Sequence, residues 1–311
     1  MSLQQAMAGI KVGETMVHGG LAVFPLIGDG ARKRDYLTLT EALNKEGVRI
    51  SEVSEGGSVP ELRLKNLLDQ DIFAADGETL IGAKQNRVLN SSIYVKAKDE
   101  IVIPVSCVES GRWRYNRRDF HAGEHHEFVS SRVAKMESVA SSLRMTGTDR
   151  RSDQGAVWDA VSMKCADFEA DAPTGSMDDA YQAARPSLDE YLKYMHLQPN
   201  QVGMAVAIDG KTAGIEFFED PTVFGQFFDK LMRAYAAEVV LENRIATVVP
   251  DKEALEDLLF RIGRARCDEY EAVGSGREIR FELGGLNGSA LEVDDRLLHF
   301  VLLRGRGRTR H

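Results

Sequence analysis

The sequence predicts an α+β protein, with an N-terminal β-rich, sandwich-like part followed by a helical and mixed part containing an α/β hairpin. Three observations carry this. Short apolar runs broken by Gly and Asp fill the stretch from Gly20 to Glu109. Apolar residues at alternating four- and three-residue steps follow it, as at Val129, Val133, Met136, Ala140 and Leu143, the mark of one buried helix face. Two strand-like runs, Val202 to Ile208 and Lys211 to Phe218, then flank the pair Asp209-Gly210, which suits a tight hairpin because both residues tolerate positive φ.

In chain order, Leu21 to Ile27 reads as a strand. A short helical stretch between Tyr36 and Asn44 carries Leu39, Ala42 and Leu43, and leads into a strand from Val48. Pro60 to Asn66 and Ile72 to Ala75 continue the strand pattern, and Asp76-Gly77 predicts a hairpin turn. Val88 to Val95 and Ile101 to Val108 complete the β-rich part. Gly111 to Glu127 reads as a polar, basic, His-bearing connector. A second helix face (Val157, Trp158, Val161, Cys165, Phe168) is entered through Ser152-Asp153, either of which suits a cap. Ser176 to Asp179 and Ser187 to Glu190 resemble capping boxes, with Pro186 at a first helical position. Asp220-Pro221 opens a long helix, and another spans about residues 252–265. The chain ends in strands with a turn expected at Asn287-Gly288. The expected domains are residues 17–112, β-rich; 125–304, helical and mixed; and 305–311, a basic tail.

The 311 residues carry 39 Lys and Arg against 48 Asp and Glu, a net charge of −9. That balance disfavours nucleic acid and other polyanions as general partners. Cys107, Cys165 and Cys267 are far apart and form no C-x-x-C, a usage that fits a reducing compartment. Without a secretory pattern or a long apolar span, the expected address is the cytoplasm and no membrane partner is expected. P-loop, Rossmann, nucleophile-elbow and kinase motifs are all missing, and no cofactor is expected.

The stretch Gly82 to Asn90 is the most unusual. Lys84, Gln85, Asn86, Arg87 and Asn90 put two cations and three amides in a few residues, a donor and acceptor set able to hold a phosphate together with sugar hydroxyls or a base edge. The competing interpretation is a solvated polar loop or edge strand. Arg112-Trp113-Arg114-Tyr115, followed by Arg117 and Arg118, interleaves arginines with aromatics and could stack on a base, or could be a connector paired with acids. Glu78 and Glu109 are the candidate catalytic carboxylates. Arg151 at a helix start is a candidate anion contact. His121-Ala-Gly-Glu124-His125 matches the letters of a zinc motif, but Gly123 lies inside it and the helical period begins only at Val129. No metal ligand is therefore expected, and a metal-dependent hydrolase ranks last among the functional readings.

Several segments together resemble one bacterial family, named for its association with ADP-ribosylglycohydrolases and rhodanese-phosphatase-superfamily proteins. They are Gly56 to Leu62, Asp76-Gly-Glu78 with Gly82 to Arg87 and Asn90, Ile103 to Glu109 with Gly111-Arg-Trp113, and Ser152 to Gly155 before Trp158-Asp159. The resemblance implies a role beside ADP-ribosylglycohydrolase-type proteins, in handling ADP-ribose or another NAD-derived nucleotide, and carries over no catalytic residue. The expected function is thus binding or processing of a small anionic, phosphorylated nucleotide-like molecule. The alternative is a non-enzymatic scaffold or adaptor.

Overall fold

The computed structural model describes residues 3–30, 34–115, 119–242 and 248–305. Arg117, Arg118 and the basic tail after Gly305 lie outside the described residues. The fold is α+β, and the chain divides into two units, each discontinuous in sequence: Arg34–Arg185 with Tyr270–Gly276, and Met1–Lys33 with Pro186–Glu269 and Arg277–His311. The sequence boundary placed between residues 112 and 125 does not coincide with this division.

In the first unit two sheets share one core. The larger runs in the order Phe120–His126, Glu78–Gly82, Arg87–Leu89, Glu100–Cys107, Glu61–Asn66, Val48–Glu52; the smaller pairs Ile93–Val95, Asp71–Ala74 and Tyr36–Thr38. Period-two alternation explains which residues enter the core. Val48 and Ile50, Leu62 and Leu64, and Ile103 and Val105 are buried, whereas Arg49, Arg63 and Lys65 between them are exposed. They join Ile72, Ala74, Ile93 and Val95 from the other sheet in one cluster, which gives the expected sandwich its physical content.

Asp76-Gly77 is a turn, with Gly77 at φ 82°, but it is not the predicted hairpin. The strands on its two sides, Asp71–Ala74 and Glu78–Gly82, belong to different sheets, so the turn carries the chain across the sandwich. The predicted run Val88 to Val95 divides for the same reason into Arg87–Leu89 and Ile93–Val95. The expected connector at Gly111 to Glu127 contains a strand, Phe120–His126, bulged between Ala122 and His126 where it pairs with Glu78–Gly82. Two helices follow, Val129–Thr146 and Gln154–Asp167. Asp153 caps the second by accepting from the Ala156 amide at 3.1 Å, so it is the Asp of the Ser152-Asp153 pair that serves.

Beneath the first of these helices lies a buried charge cluster. Asp76 meets Lys135 at 2.7 Å and the Arg132 Nε at 2.9 Å, and Lys135 meets Glu127 at 2.5 Å. Arg132 and Lys135, one turn apart, fix the helix to the crossover turn. Asp76 is held well below the usual carboxylate range: burial pushes it up, but Lys135 and Arg132 outweigh that. Burial pushes Glu127 the opposite way.

The other unit is built on a nine-stranded sheet in the order Lys11–Val12, Leu21–Ile27, Gln201–Ile208, Lys211–Phe218, Arg296–Arg304, Leu286–Val293, Arg277–Leu283, Cys267–Glu271, with Met16–His18 beside Leu21–Ile27. The hairpin predicted at Asp209-Gly210 is present, with φ 50° and 73°. Pro221–Ala236 is the predicted long helix, its first amides accepted by Asp220. Pro186, expected to start a helix, instead lies inside the single helix Met177–Leu192. The turn expected at Asn287-Gly288 falls at Gly284-Gly285, φ 59° and 78°, and another at Asp294-Asp295, φ 48° and 56°, precedes the last strand; Asn287 and Gly288 sit in the strand Leu286–Val293 instead. Gly288 is required there by packing, since a Cβ would stand 2.3 Å from the Phe281 ring.

Candidate functional site

The polar motif that the sequence singled out is buried, not solvated. Glu78–Gly82 and Arg87–Leu89 pair as a hairpin, with Ala83 to Asn86 as its loop. Lys84, Gln85, Asn86, Arg87 and Asn90 are each less than a tenth exposed. Buried polar groups must find partners, and most of these find them within the protein.

Glu109 and Arg112 frame the loop. Arg112 grips Glu109 through Nε–Oε1 at 2.8 Å and Nη2–Oε2 at 2.7 Å, and donates to the Ala83 carbonyl at 2.7 Å, the Gly82 carbonyl at 3.3 Å, the Asn86 Oδ1 at 3.2 Å and the Arg114 carbonyl at 3.0 Å. Glu109 also accepts from the Asn86 amide at 3.0 Å and the Thr174 hydroxyl at 2.8 Å. Although burial pushes its carboxyl up, the hydrogen bonds from Arg112, Thr174 and Asn86 hold it below the ordinary value. A carboxylate so engaged is a weak proton acceptor. Glu78 accepts from the Ala75 amide at 2.7 Å, on the strand that follows the crossover turn. Asn90 is a staple: it donates to the Arg150 carbonyl at 2.9 Å and accepts from Ser106 at 2.6 Å. Gln154, not singled out from the sequence, brackets Cys107 through both the amide and the carbonyl of that residue, each at 2.8 Å. Burial pushes the Cys107 thiol up to about 11, as befits a small buried side chain and not a nucleophile.

Arg87 is different. It pairs with Cys107 across neighbouring strands, is fully buried, and donates from Nη1 to Gln85 at 3.3 Å. Its Nε and Nη2 make no hydrogen bond. Glu52 stands 3.7 Å away, and neither Glu52 oxygen accepts a hydrogen bond. Sequence reasoning missed Glu52, yet the signal was present: it shares the inward parity of Val48 and Ile50 on one strand, where a core residue would be expected. Trp113, Glu52 and Lys84 converge on Gly57, whose φ is 77°, with Trp113 Cζ2 and Glu52 Oε2 lying 3.2 and 3.3 Å from where a Cβ would be. Lys84 donates to the Glu55 and Gly56 carbonyls at 2.6 and 2.7 Å. Its ammonium also lies over the Trp113 and Tyr115 rings at 5.3 and 5.2 Å, and the Arg87 guanidinium lies 5.7 Å from Trp113. These distances are cation–π contacts. Trp113 and Tyr115 are nonetheless about half exposed, at 45% and 49%.

Glu52 also lines a cavity of about 840 Å³, together with Ser51, Ser54, Glu55, Tyr115 and Asp119. The structure therefore brings Lys84, Gln85, Asn86, Arg87, Glu109, Arg112 and Trp113 into one constellation. Arg151 is not part of it: it is exposed, 3.6 Å from Asp149, and lines a separate cavity of about 290 Å³ with Arg150, Pro60 and Val102. The zinc motif falls on a strand, where His121 is exposed and His125 is stacked on Tyr181. Among the described residues no group of His, Cys, Asp and Glu is arranged to hold a metal ion.

The sequence profile of the ARPP-1 domain, described as the ARG and Rhodanese-Phosphatase-superfamily-associated Protein domain, matches residues 9–303. The chain belongs to this family. The match takes in both units and every residue of the constellation. No curated protein and no solved structure shows significant similarity to the chain. Among the described residues no helix is long and apolar enough to cross a membrane.

Proposed function

We propose that this chain binds a small phosphorylated, nucleotide-like molecule, of which ADP-ribose and NAD-derived nucleotides are the first candidates, in the cavity beside Glu52, Arg87 and Trp113. One observation carries the reading: Arg87 and Glu52, both buried, keep unmade hydrogen bonds, and Glu52 and the half-exposed Tyr115 line a cavity of about 840 Å³. Unmade hydrogen bonds on buried charged groups are costly, by about 1–3 kcal/mol each, and a ligand would relieve that cost. The family's name, which records an association with ARG and rhodanese-phosphatase-superfamily proteins, supports the ADP-ribose choice. Trp113 and Tyr115 offer faces on which a base can stack. Lys84 and Arg87 supply the positive charge.

A second reading, a non-enzymatic scaffold or adaptor, draws on a separate observation. Arg112, Glu109 and Asn86 satisfy one another and the backbone so fully that they act as the frame of the loop. Substituting Arg112 would consequently report on folding. Trp113, exposed and without a hydrogen bond to the core, is the better probe.

A thermal-shift screen with ADP-ribose, NAD, cyclic nucleotides and phosphosugars tests the proposal. At least one of these should raise Tm by several degrees in the native protein, and Trp113→Ala should abolish the shift while lowering the Tm of the free protein by only a few degrees, the loss of its cation–π contacts. No shift with any of them would favour the scaffold.

A further inference from the structure

Lys84 is a covered cation held by neutral groups alone. It is 8% exposed, and its ammonium meets the Glu55 and Gly56 carbonyls at 2.6 and 2.7 Å and the rings of Trp113 and Tyr115 at 5.3 and 5.2 Å. Among the described residues no carboxylate pairs with it, and its third N–H finds no oxygen acceptor. Arg112, Arg132 and Lys135, whose side chains are at most a tenth exposed, each meet a carboxylate within 2.9 Å. A covered charge that lacks a counter-charge is costly, and a bound anion would supply one. The rings over which Lys84 lies are the accessible part of the site, at 45% and 49% exposed.

The same geometry limits what can stack there. A ring that already holds an ammonium has the negative face of its quadrupole engaged. A cationic ring stacked on it would come within about 10 Å of Lys84, the Debye length at 0.1 M salt, and be repelled. Arg87, 5.7 Å from Trp113, adds to this, though Glu52 at 3.7 Å offsets part of its charge. An uncharged ring keeps its stacking, and a phosphate beside it completes the ion pair that Lys84 lacks. We infer that Trp113, Tyr115 and Lys84 form a cation-backed stacking platform, which takes an uncharged ring with an adjoining phosphate and rejects cationic rings. The inference rests on the nucleotide-binding reading above and narrows it: NAD would be read through its adenine and not through its oxidised nicotinamide.

Two measurements test this. In a Trp158→Phe variant, quenching of Trp113 fluorescence by iodide and by caesium, at matched ionic strength and each scaled to free indole, reads the charge beside the ring without any nucleotide. The scaled iodide-to-caesium ratio should be at least about two, should fall by half or more in Lys84→Met and should persist in Lys84→Arg, because an ammonium or guanidinium at that place attracts the anion. Calorimetric titration of the full chain with reduced and oxidised nicotinamide mononucleotide, which share a phosphate and differ in ring charge, reads the selection. The reduced form should bind at least about threefold more tightly, the scale of one exposed cation–π contact. A scaled ratio near one, or one that Lys84→Met leaves unchanged, would overturn the platform. So would equal binding of the two forms, tighter binding of the oxidised form, or binding of neither. In each of these cases the nucleotide reading still stands if the thermal-shift screen finds a ligand, and falls if it finds none. Should Lys84→Met fold poorly, the ratio in the Trp158→Phe protein and the two titrations decide.

Discussion

Glu52 occupies a position that alternation assigns to a core residue, and it and Arg87 differ from buried charges such as Arg132 and Lys135 in the hydrogen bonds they leave unmade. A buried ion pair at 3.7 Å is a poor source of stability, and the proposed ligand reading builds on it. Arg112 is the counterexample in the same motif. Its guanidinium is saturated by Glu109, Asn86 and backbone carbonyls, and removing it leaves the Glu109 carboxylate buried without its cation. Arg112→Ala should lower stability by about 3–5 kcal/mol, read as a shift in the urea midpoint; a change under about 1 kcal/mol, the worth of an exposed pair, would show that Arg112 is not the frame. The residue types of this motif were legible in the sequence, because two cations and three amides in one short run are unusual. Which of them are frame and which keep unmade hydrogen bonds was not, since that depends on Glu109, Thr174 and Ser176 arriving from distant parts of the chain. Glu52 was legible in principle through its parity with Val48 and Ile50.

Among the elements, strands and helices followed their periodicities closely, and the errors cluster at turns. Asp76-Gly77 has the residues of a hairpin and the φ of one, yet crosses between sheets, because turn chemistry specifies a local reversal and not the partner of the next strand. The buried cluster of Asp76, Arg132, Lys135 and Glu127 then ties the helix Val129–Thr146 to that crossover. Lys135→Met would leave two buried carboxylates short of a cation and should cost about 3–5 kcal/mol, with unfolding followed by circular dichroism; an unchanged midpoint would show that the cluster contributes nothing. In the C-terminal strands the turn was misplaced by a few residues because Asn287-Gly288 and Gly284-Gly285 both suit a turn. The Phe281 ring resting on Gly288 explains the glycine instead. Gly288→Val should destabilise by about 1–3 kcal/mol or more through overpacking, whereas the same change at the open position Gly284 would act only through its positive φ.

For the whole molecule, the α+β class was readable from the order of periodicities, but the two-unit division was not, because both units are assembled from separated segments. The net charge of −9 conceals an interior in which acids and bases are paired. That pairing sets the acid stability. Asp76 and Glu109 both have folded values below their unfolded ones, so the stability they contribute is present above about pH 4, the ordinary carboxylate value, and is lost as pH falls through their folded values. Glu127, raised by burial, works in the opposite sense and offsets part of the loss. Tm should therefore fall as pH is lowered from 6 towards 3, and Asp76→Asn should flatten that fall; an equally steep fall in the variant would assign it elsewhere.

The central claim is that the cavity beside Glu52, Arg87 and Trp113 takes a nucleotide-like ligand. The chain has two tryptophans, so a Trp158→Phe variant leaves Trp113 as its sole indole reporter. Titrating that variant with ADP-ribose, NAD, cyclic nucleotides and phosphosugars while following tryptophan fluorescence should give a saturable change with at least one of them, as a base or sugar seats against the ring. Flat titrations throughout, with the variant folded, would contradict the claim and leave the motif as the frame of a scaffold.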